Sequence, residues 1–219
     1  MTPSTAASAA PRRSRARRGD GDLLRAEILE ATRRLLVERG DEELVSIRAV
    51  ADAVGVTAPS IYLHFADKDA LIVEVCEETF RTFDDDQEQA AAAYDDPLES
   101  LKARGRAYVS FGLANPEAYR ILFMTRSERV IDLAGGSPAT ALAGVTALAH
   151  IVDAVRRCMD SGAFATDDPM LVALQLWTGL HGVVSLLICE RGFPWPDRGV
   201  LVDRILDMQV RGLAPSSGP

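Results

Sequence analysis

Residues 46–71 read SIRAVADAVGVTAPSIYLHFADKDAL, and this stretch decides the fold of the first part of the chain. Ser46 is typical of a helix N-cap, and Gly55 ends the short apolar-faced segment that follows it. Thr57 is a second N-cap candidate, and Pro59 lies where the first turn of a helix tolerates proline. The pattern predicts two short helices joined by a tight turn, the arrangement that lays one helix in the major groove of DNA.

Helices are also predicted on both sides of this stretch. Apolar residues at helical spacing predict a helix from about Asp22 to Arg39, which Gly40 ends. Asp67 is expected to cap a further helix that continues toward Phe83. The rest of the chain has the same helical periodicity, and no segment has the alternation of a strand. The sequence therefore predicts an all-α protein of about nine or ten helices.

The most apolar segment, Met170–Cys189, is long enough to be tested as a membrane span. It contains Gln175, Thr178, His181 and two glycines, and acidic residues lie close to its ends. These features favour a buried helix of a cytoplasmic protein that has no membrane partner.

Charge separates the chain into two parts. Residues 1–70 hold 11 basic and 11 acidic residues, whereas residues 71–219 hold 13 basic and 21 acidic residues, which accounts for the whole net charge of −8. Such asymmetry predicts a first part that faces DNA and a second part that does not.

The termini and the cysteines are expected to carry no catalytic or metal chemistry. Residues 1–20 contain five clustered arginines and predict a disordered tail that adds nonspecific DNA affinity, and residues 214–219 predict a second disordered tail. No apolar run follows the arginines, so no secretory signal is expected. Cys76, Cys158 and Cys189 lack metal-ligand or redox spacing and are expected to be reduced thiols.

The segment around the opening stretch resembles the N-terminal DNA-binding domain of TetR-family transcriptional regulators. The resemblance covers roughly 50 residues and rests on many positions rather than on one short motif. The residues that carry it are Ile28-Leu29, Leu35-Leu36, Gly40, Ser46-Ile47-Arg48, Val50-Ala51, Gly55-Val56, Ile61-Tyr62-Leu63-His64-Phe65, Asp67-Lys68-Asp69 and Leu71.

The resemblance implies a homodimeric repressor that binds a palindromic operator and is released by a small hydrophobic effector. It assigns residues 21–67 to a three-helix DNA-binding domain and residues 68–213 to a helical domain for ligand binding and dimerisation. The second domain is similar only in outline, with residues 177–182 resembling a Trp-x-x-x-His-Gly element of one branch of the family. No cofactor is implied.

Eight residues are candidates for DNA contact. The small side chains of Thr57, Ala58 and Ser60 suit base edges and thymine methyl groups at the start of the reading helix. Phosphate contacts are expected near its end and at neighbouring helix starts. The candidates for phosphate contact are Ser46, Tyr62, His64 and Lys68. The resemblance adds Arg48, whose matching position often faces the groove and reads guanine.

Four of these residues have competing structural explanations. His64, taken alone, has the alternative of being a packed or surface histidine. The ring of Tyr62 is expected to pack against Ile28 and Leu71 as well as to contact phosphate. Thr57 is expected to act first as a helix cap. Arg48 has the alternative of being a solvated surface charge.

The resemblance places an effector pocket among the middle helices, between about Leu101 and Trp177. Leu101, Gly105, Tyr108 and Gly112 share one helix face. The candidate lining residues are Tyr108, Phe111, Phe123, Met124, Trp177 and His181. For each of them, ordinary core packing is an equally good explanation.

The dimer is expected to form through the helices at Met170–Cys189 and Leu201–Arg211, which would pair with their copies in a four-helix interface. Gly179, Gly182 and Ser185 allow close approach of helices, either between subunits or within one.

Two other functions are compatible with an all-helical chain. The acidic segment Asp84–Glu88 has spacing that could bind Mg²⁺ and diphosphate, as all-helical prenyl-transfer enzymes do. A solvated helix end is the preferred interpretation, because no second acidic motif follows. A helical adaptor that has lost DNA binding is the other alternative, and the intact DNA-contact candidates speak against it.

Overall fold

The computed structural model describes residues 20–123, 142–190 and 192–215. Within these ranges the chain forms nine α-helices and a one-turn 3-10 helix at Glu42–Leu44, with no strand, which confirms the predicted all-α class. The helices are α1 (Asp20–Arg39), α2 (Ile47–Val54), α3 (Ala58–Tyr62), α4 (Lys68–Ala91), α5 (Pro97–Ala114), α6 (Pro116–Phe123), α7 (Leu142–Asp160), α8 (Pro169–Cys189) and α9 (Arg198–Leu213).

Some expectations fall on residues outside the described ranges. These are the arginine-rich tail, the last four residues of the C-terminal tail and the candidate ligand contact Met124. The described residues divide into two compact units between Val75 and Cys76, so the chain of α4 runs from one unit into the other.

Local capping explains the boundaries in the first unit. Gly40 and Gly55 adopt left-handed φ angles of 68° and 78°, and each follows directly on the end of a helix. The Ser46 hydroxyl accepts a hydrogen bond from the backbone N–H of Ala49 at 3.2 Å, as an N-cap does. Asp67 accepts one from the N–H of Ala70 at 2.7 Å. These contacts confirm the caps predicted at Ser46 and Asp67.

In the first unit, α1, α2, α3 and the start of α4 each bury apolar side chains. Ile28, Val50, Ile61 and Leu71 are each at most 1% exposed. α2 packs against both α1 and α3. Burial of their inner faces therefore stabilises α2 and α3, since helices of eight and five residues are not stable alone.

The second unit is built around α8. This helix packs against α5, α7 and α9, and its buried side chains enter both hydrophobic clusters of the unit. By length and a mean hydropathy of 1.8, α8 is the one described helix that could cross a membrane. Its packing on three neighbours identifies it instead as the central helix of the unit.

The acidic segment corrects one prediction. α4 does not end near Phe83 but continues through Asp84–Glu88 to Ala91. Asp85 and Asp86 are exposed but Asp84 is only 7% exposed, so the acidic segment is neither a helix end nor solvated throughout. Arg104 from α5 and His150 from α7 compensate the charges of Asp84 and Glu88.

Candidate functional site

The start of α2 is an exposed helix N-terminus with a basic residue beside it. The Ser46 and Arg48 side chains are exposed, while Ile47 and Val50 between and beyond them are buried. This alternation places Arg48 on the outer face of α2, where it can reach a duplex. The N-terminal N–H groups of α2 add a favourable position for a phosphate.

The start of α3 carries two hydroxyl groups that contact each other. Thr57 occupies the cap position but makes no side-chain cap hydrogen bond. Its hydroxyl instead lies 2.9 Å from the Ser60 hydroxyl, and the Ser60 N–H donates to the Thr57 carbonyl at 2.9 Å. The structure therefore confirms Thr57 as the N-cap residue of α3, but its side chain does not cap the helix, because Ser60 competes for the hydroxyl. Thr57 is exposed, and Ala58 and Ser60 are half-buried.

The end of α3 separates residues that the sequence grouped together. Ile61 and Phe65 are buried, whereas Tyr62 is 52% exposed, so Tyr62 does not contribute the core packing expected of it. The residue following α3, Leu63, is 85% exposed. His64 is half-buried.

Lys68 has a structural contact that the sequence did not reveal. Its ammonium group donates a hydrogen bond to the backbone carbonyl of Glu42 at 3.0 Å. This contact links the first turn of α4 to the 3-10 turn before α2. An ammonium has three donors, so phosphate contact is compatible with this bond.

The second unit contains a narrow cavity among α4, α5, α7, α8 and α9. The cavity has a volume of about 30 Å³ and opens toward solvent. The lining residues are Gln87, Leu101, Lys102, Arg104, Gly105, Tyr108, Ile151, Leu176, Trp177, Leu180, Leu206 and Val210. A cavity with room for so few waters must widen before it holds a drug-sized molecule.

The candidate effector residues divide between this cavity and an aromatic cluster. Tyr108 and Trp177 line the cavity. Phe111 and Phe123 do not line it; both pack edge-on against Phe83, with ring centroids 5.1 and 5.6 Å away. His181 stacks on the Tyr119 ring of the same cluster, with ring centroids 5.6 Å apart. The sequence missed Arg104 and Gln87, because neither a buried arginine nor a buried glutamine has a periodic signature.

A chain of hydrogen bonds crosses the aromatic cluster. The Trp177 indole N–H donates to the Tyr108 hydroxyl at 3.1 Å, and the Tyr108 and Tyr119 hydroxyls are 2.7 Å apart. The Tyr119 hydroxyl lies 2.6 Å from Nδ1 of His181. Because the Trp177 indole can only donate, the simplest arrangement has the Tyr108 hydroxyl donating to Tyr119 and the Tyr119 hydroxyl donating to His181. His181 is then neutral, with Nδ1 as an acceptor.

Burial keeps this chain uncharged. It raises the pKa of Tyr108 to about 12 and raises the pKa of Tyr119 further. It also lowers the pKa of His181 below its ordinary value, since desolvation disfavours the imidazolium. Protonation of His181 would turn Nδ1 into a donor and break the direction of the chain.

We expect His181→Gln to flatten the dependence of stability on pH. A lowered pKa in the folded state contributes stability that is present above the unfolded pKa of His181 and lost as pH falls through the folded pKa. Between about pH 7.5 and about pH 5.5, the Tm of the wild type should fall by a few degrees more than that of the variant. Thermal unfolding at several pH values measures this difference, and parallel curves would contradict it.

A charged cluster lies where α4 meets α5 and α7. Arg104 is 3% exposed and donates to the Glu88 carboxylate, and its Nη1 lies 4.0 Å from Oδ1 of Asp84. His150 Nδ1 lies 2.8 Å from Oδ2 of Asp84. Burial raises the pKa of Asp84, and His150 opposes that effect. The cluster joins three helices through charge.

The outer face of α8 and α9 is exposed and partly apolar. Leu171 and Leu186 on α8 are 49% and 52% exposed, and Met208 on α9 is 66% exposed. A Cβ on Gly179 would collide with the Gln209 side chain of α9, so Gly179 serves packing within the subunit. A Cβ on Gly182 meets no atom of the described residues within 4 Å, so this glycine leaves the surface open.

The fold and the exposed starts of α2 and α3 define a class of protein in which a short helix-turn-helix domain is joined to a larger helical unit. Residues 28–75 match the family described as bacterial regulatory proteins, tetR family, and residues 101–213 match the tetracyclin repressor-like C-terminal domain. The chain belongs to the TetR family of transcriptional regulators, with an N-terminal DNA-binding helix-turn-helix domain. Regulators of this fold are typically not enzymes.

Individual proteins are similar at lower identity. The HTH-type transcriptional regulator EthR of Mycolicibacterium smegmatis is 27% identical over 138 residues, which are 63% of this chain and 54% of EthR, so the chain spans about half of that relative. A protein of unknown function from Rhodococcus sp. RHA1 has a TM-score of 0.70 at 24% identity, covering 88% of this chain and 96% of that one. A putative tetR family transcription regulator from Shewanella sp. PV-4 has a TM-score of 0.68 at 17% identity, covering 88% and 98%.

Proposed function

We propose that this protein is a homodimeric repressor that binds a palindromic operator and is released by a small hydrophobic effector. The observation that carries the proposal is the pair of exposed helix starts at Ser46 and Thr57, each backed by a buried face. We assign residues 21–67 to DNA binding and residues 68–213 to ligand binding and dimerisation. A cytoplasmic location follows from this function.

The contacts with DNA divide into reading and positioning. Arg48 reaches a guanine from the outer face of α2, and Ala58 and Ser60 approach base edges from the first turn of α3. The phosphate contacts come from Ser46, Tyr62, His64 and Lys68. The exposure of Tyr62 leaves its hydroxyl available to a phosphate, which supports this assignment. Thr57 contributes through its contact with Ser60.

The dimer forms through the outer face of α8 and α9. The exposed leucines of α8 and the open surface at Gly182 support close approach of a second copy. A two-fold axis makes such an interface self-complementary, and it places two reading helices about one turn of DNA apart or somewhat more.

The effector enters the cavity beside Tyr108 and Trp177 and widens it. Phe111, Phe123, Met124 and His181 complete our set of effector contacts, with the two phenylalanines and His181 acting through the aromatic cluster. A cavity too small in its present form must separate its helices on binding, which gives the effector different affinities for two states. α4 carries the change toward the DNA-binding domain, and a coupling of about 1–3 kcal/mol is enough to alter occupancy.

The alternatives are weaker on specific contacts. In the prenyl-transfer alternative, Asp84 and Glu88 must hold Mg²⁺ and a diphosphate, but the described residues bring no second acidic cluster beside them, and Arg104 already contacts both carboxylates. Robust diphosphate release that Asp84→Asn abolishes would revive that alternative. The adaptor alternative leaves the exposed Arg48 without a role. We therefore propose that the protein is not an enzyme.

Variants of the reading surface test the division of roles. We expect Ser60→Ala and Arg48→Ala to change sequence preference, with a cost of about 1–3 kcal/mol at the preferred site. Lys68→Ala should weaken binding to every sequence and flatten its salt dependence. Titration of preferred and altered sites at several salt concentrations measures both effects.

Lys68 needs a control, because its loss also removes the contact with the Glu42 carbonyl. Thermal unfolding of Lys68→Ala separates a folding defect from a loss of phosphate contact, and Lys68→Arg keeps the charge. The same uniform loss in all three alanine variants would contradict the division into reading and positioning residues.

A further inference from the structure

Three side chains of the second unit converge in a way that the proposed function does not use. Asp84 and Glu88 lie one turn apart on the same face of α4, and His150 faces them from α7. Nδ1 of His150 lies 2.8 Å from Oδ2 of Asp84 and 3.2 Å from Oε1 of Glu88. One ligand atom from each of the three residues lies within 4.8 Å of the others.

Asp84 also has an unsatisfied oxygen. The residue is 7% exposed, and its Oδ1 is buried without a hydrogen-bond partner in the described part of the chain. The charged group next to this oxygen is Nη1 of Arg104, which lies 4.0 Å away and likewise has no hydrogen-bond partner, so the polar atoms of the cluster are incompletely paired. Arg104 neutralises one of the two carboxylates, which leaves a formal charge of −1 when His150 is neutral. A cation is therefore the fitting addition.

We propose that Asp84, Glu88 and His150 bind a divalent transition metal ion of the zinc class, which ties α4 to α7. Two carboxylate oxygens and one imidazole nitrogen are the mixed donor set that such ions accept, and a water completes four-coordination. Bonds of about 2.1 Å at tetrahedral angles place ligand atoms roughly 3.4 Å apart. Oδ2 of Asp84 and Oε1 of Glu88, now 2.8 and 3.2 Å from Nδ1 of His150, reach that spacing if each moves away from the nitrogen by less than 1 Å.

Access and support also fit a metal site. The side chains of His150 and Glu88 are 38% and 44% exposed, so the ion has a path from solvent, whereas the Asp84 side chain is 11% exposed and anchors the site. Arg104 holds Glu88 in place from the buried side. Any effect of the ion on DNA binding rests on the proposed function, in which α4 transmits the signal. Binding of the ion itself does not depend on that function.

Metal titration of the full chain tests the site. Chelator-treated protein is titrated with Zn²⁺ by calorimetry and thermal unfolding, and with Co²⁺ by absorption. We expect one ion per chain and a rise in Tm that follows occupancy. His150→Gln and Glu88→Gln should each weaken binding by about tenfold or more. Glu99→Gln, a matched change of an exposed carboxylate elsewhere in the same unit, should bind like the wild type.

Three results would overturn the proposal. The first is no saturable binding by the wild type. The second is equal binding by the wild type and both ligand variants. The third is a thiolate charge-transfer band with Co²⁺ that Cys189→Ser removes, because Cys189 is exposed and would then be the ligand. None of these readouts uses DNA, so a failure of the repressor proposal leaves the result interpretable.

Discussion

Replacing Leu186 with glutamate is expected to yield a monomer whose affinity for an inverted repeat is lower by about two to four orders of magnitude. Leu186 is 52% exposed on the face of α8 that we assign to the dimer interface. A carboxylate there, facing its own copy across a two-fold axis, must be desolvated beside a like charge. A single subunit then contacts one half-site only, and the gain from joining two half-sites is lost.

Sedimentation at micromolar concentration and titration with operator DNA measure the two effects together. Leu23→Glu is the matched control, because Leu23 is 54% exposed but lies on α1 in the first unit. That variant should remain dimeric. A dimeric Leu186→Glu protein with unchanged DNA affinity would contradict the assignment of this face.

Gly112→Ala is expected to destabilise the second unit by about 1–3 kcal/mol. A Cβ on Gly112 would lie 2.5 Å from Cγ1 of Val184 and 3.0 Å from Cδ2 of Tyr119. Val184 is β-branched and fully buried on α8, so its methyl group cannot turn away without strain. Tyr119 is held by its hydrogen bonds to Tyr108 and His181. Both neighbours must therefore shift.

Thermal unfolding should show a Tm lower by several degrees for Gly112→Ala. Gly21→Ala is the control, since a Cβ on Gly21 meets no atom of the described residues within 4 Å. Gly105→Ala should fall between them, because its nearest contact, at 2.7 Å, is the flexible end of Leu206. An unchanged Tm for Gly112→Ala would show that α5 and α8 can separate at little cost.

The sequence predicts features that depend on neighbouring residues. Ser46 caps α2 and Gly55 ends it, because a hydroxyl reaching a nearby N–H and a left-handed glycine are local effects. The same local effect explains the starts of α5 and α8, where Asp96 and Asp168 accept hydrogen bonds from the N–H groups of Glu99 and Met170. These predictions were correct because no distant partner is involved.

Features set by distant partners, or by competition between nearby groups, could not be predicted. The acidic segment of α4 was interpreted as a solvated end, because His150 follows Asp84 by 66 residues and nothing local indicates their contact. Tyr62 was expected to pack inward as well as to contact phosphate, but its position on the short α3 leaves its side chain 52% exposed. The Thr57 hydroxyl contacts the Ser60 hydroxyl instead of capping α3, and spacing alone does not decide between these two contacts.

Selection of bound DNA from random oligonucleotides, at moderate salt and with the chain of 219 residues, tests whether this protein reads an inverted repeat as a homodimer. We expect enrichment of one inverted repeat whose half-sites lie about one helical turn apart or somewhat more. Binding to that repeat should survive competition by a scrambled duplex of the same composition. Recovery of no common sequence, or equal binding to repeat and scramble, would contradict the account.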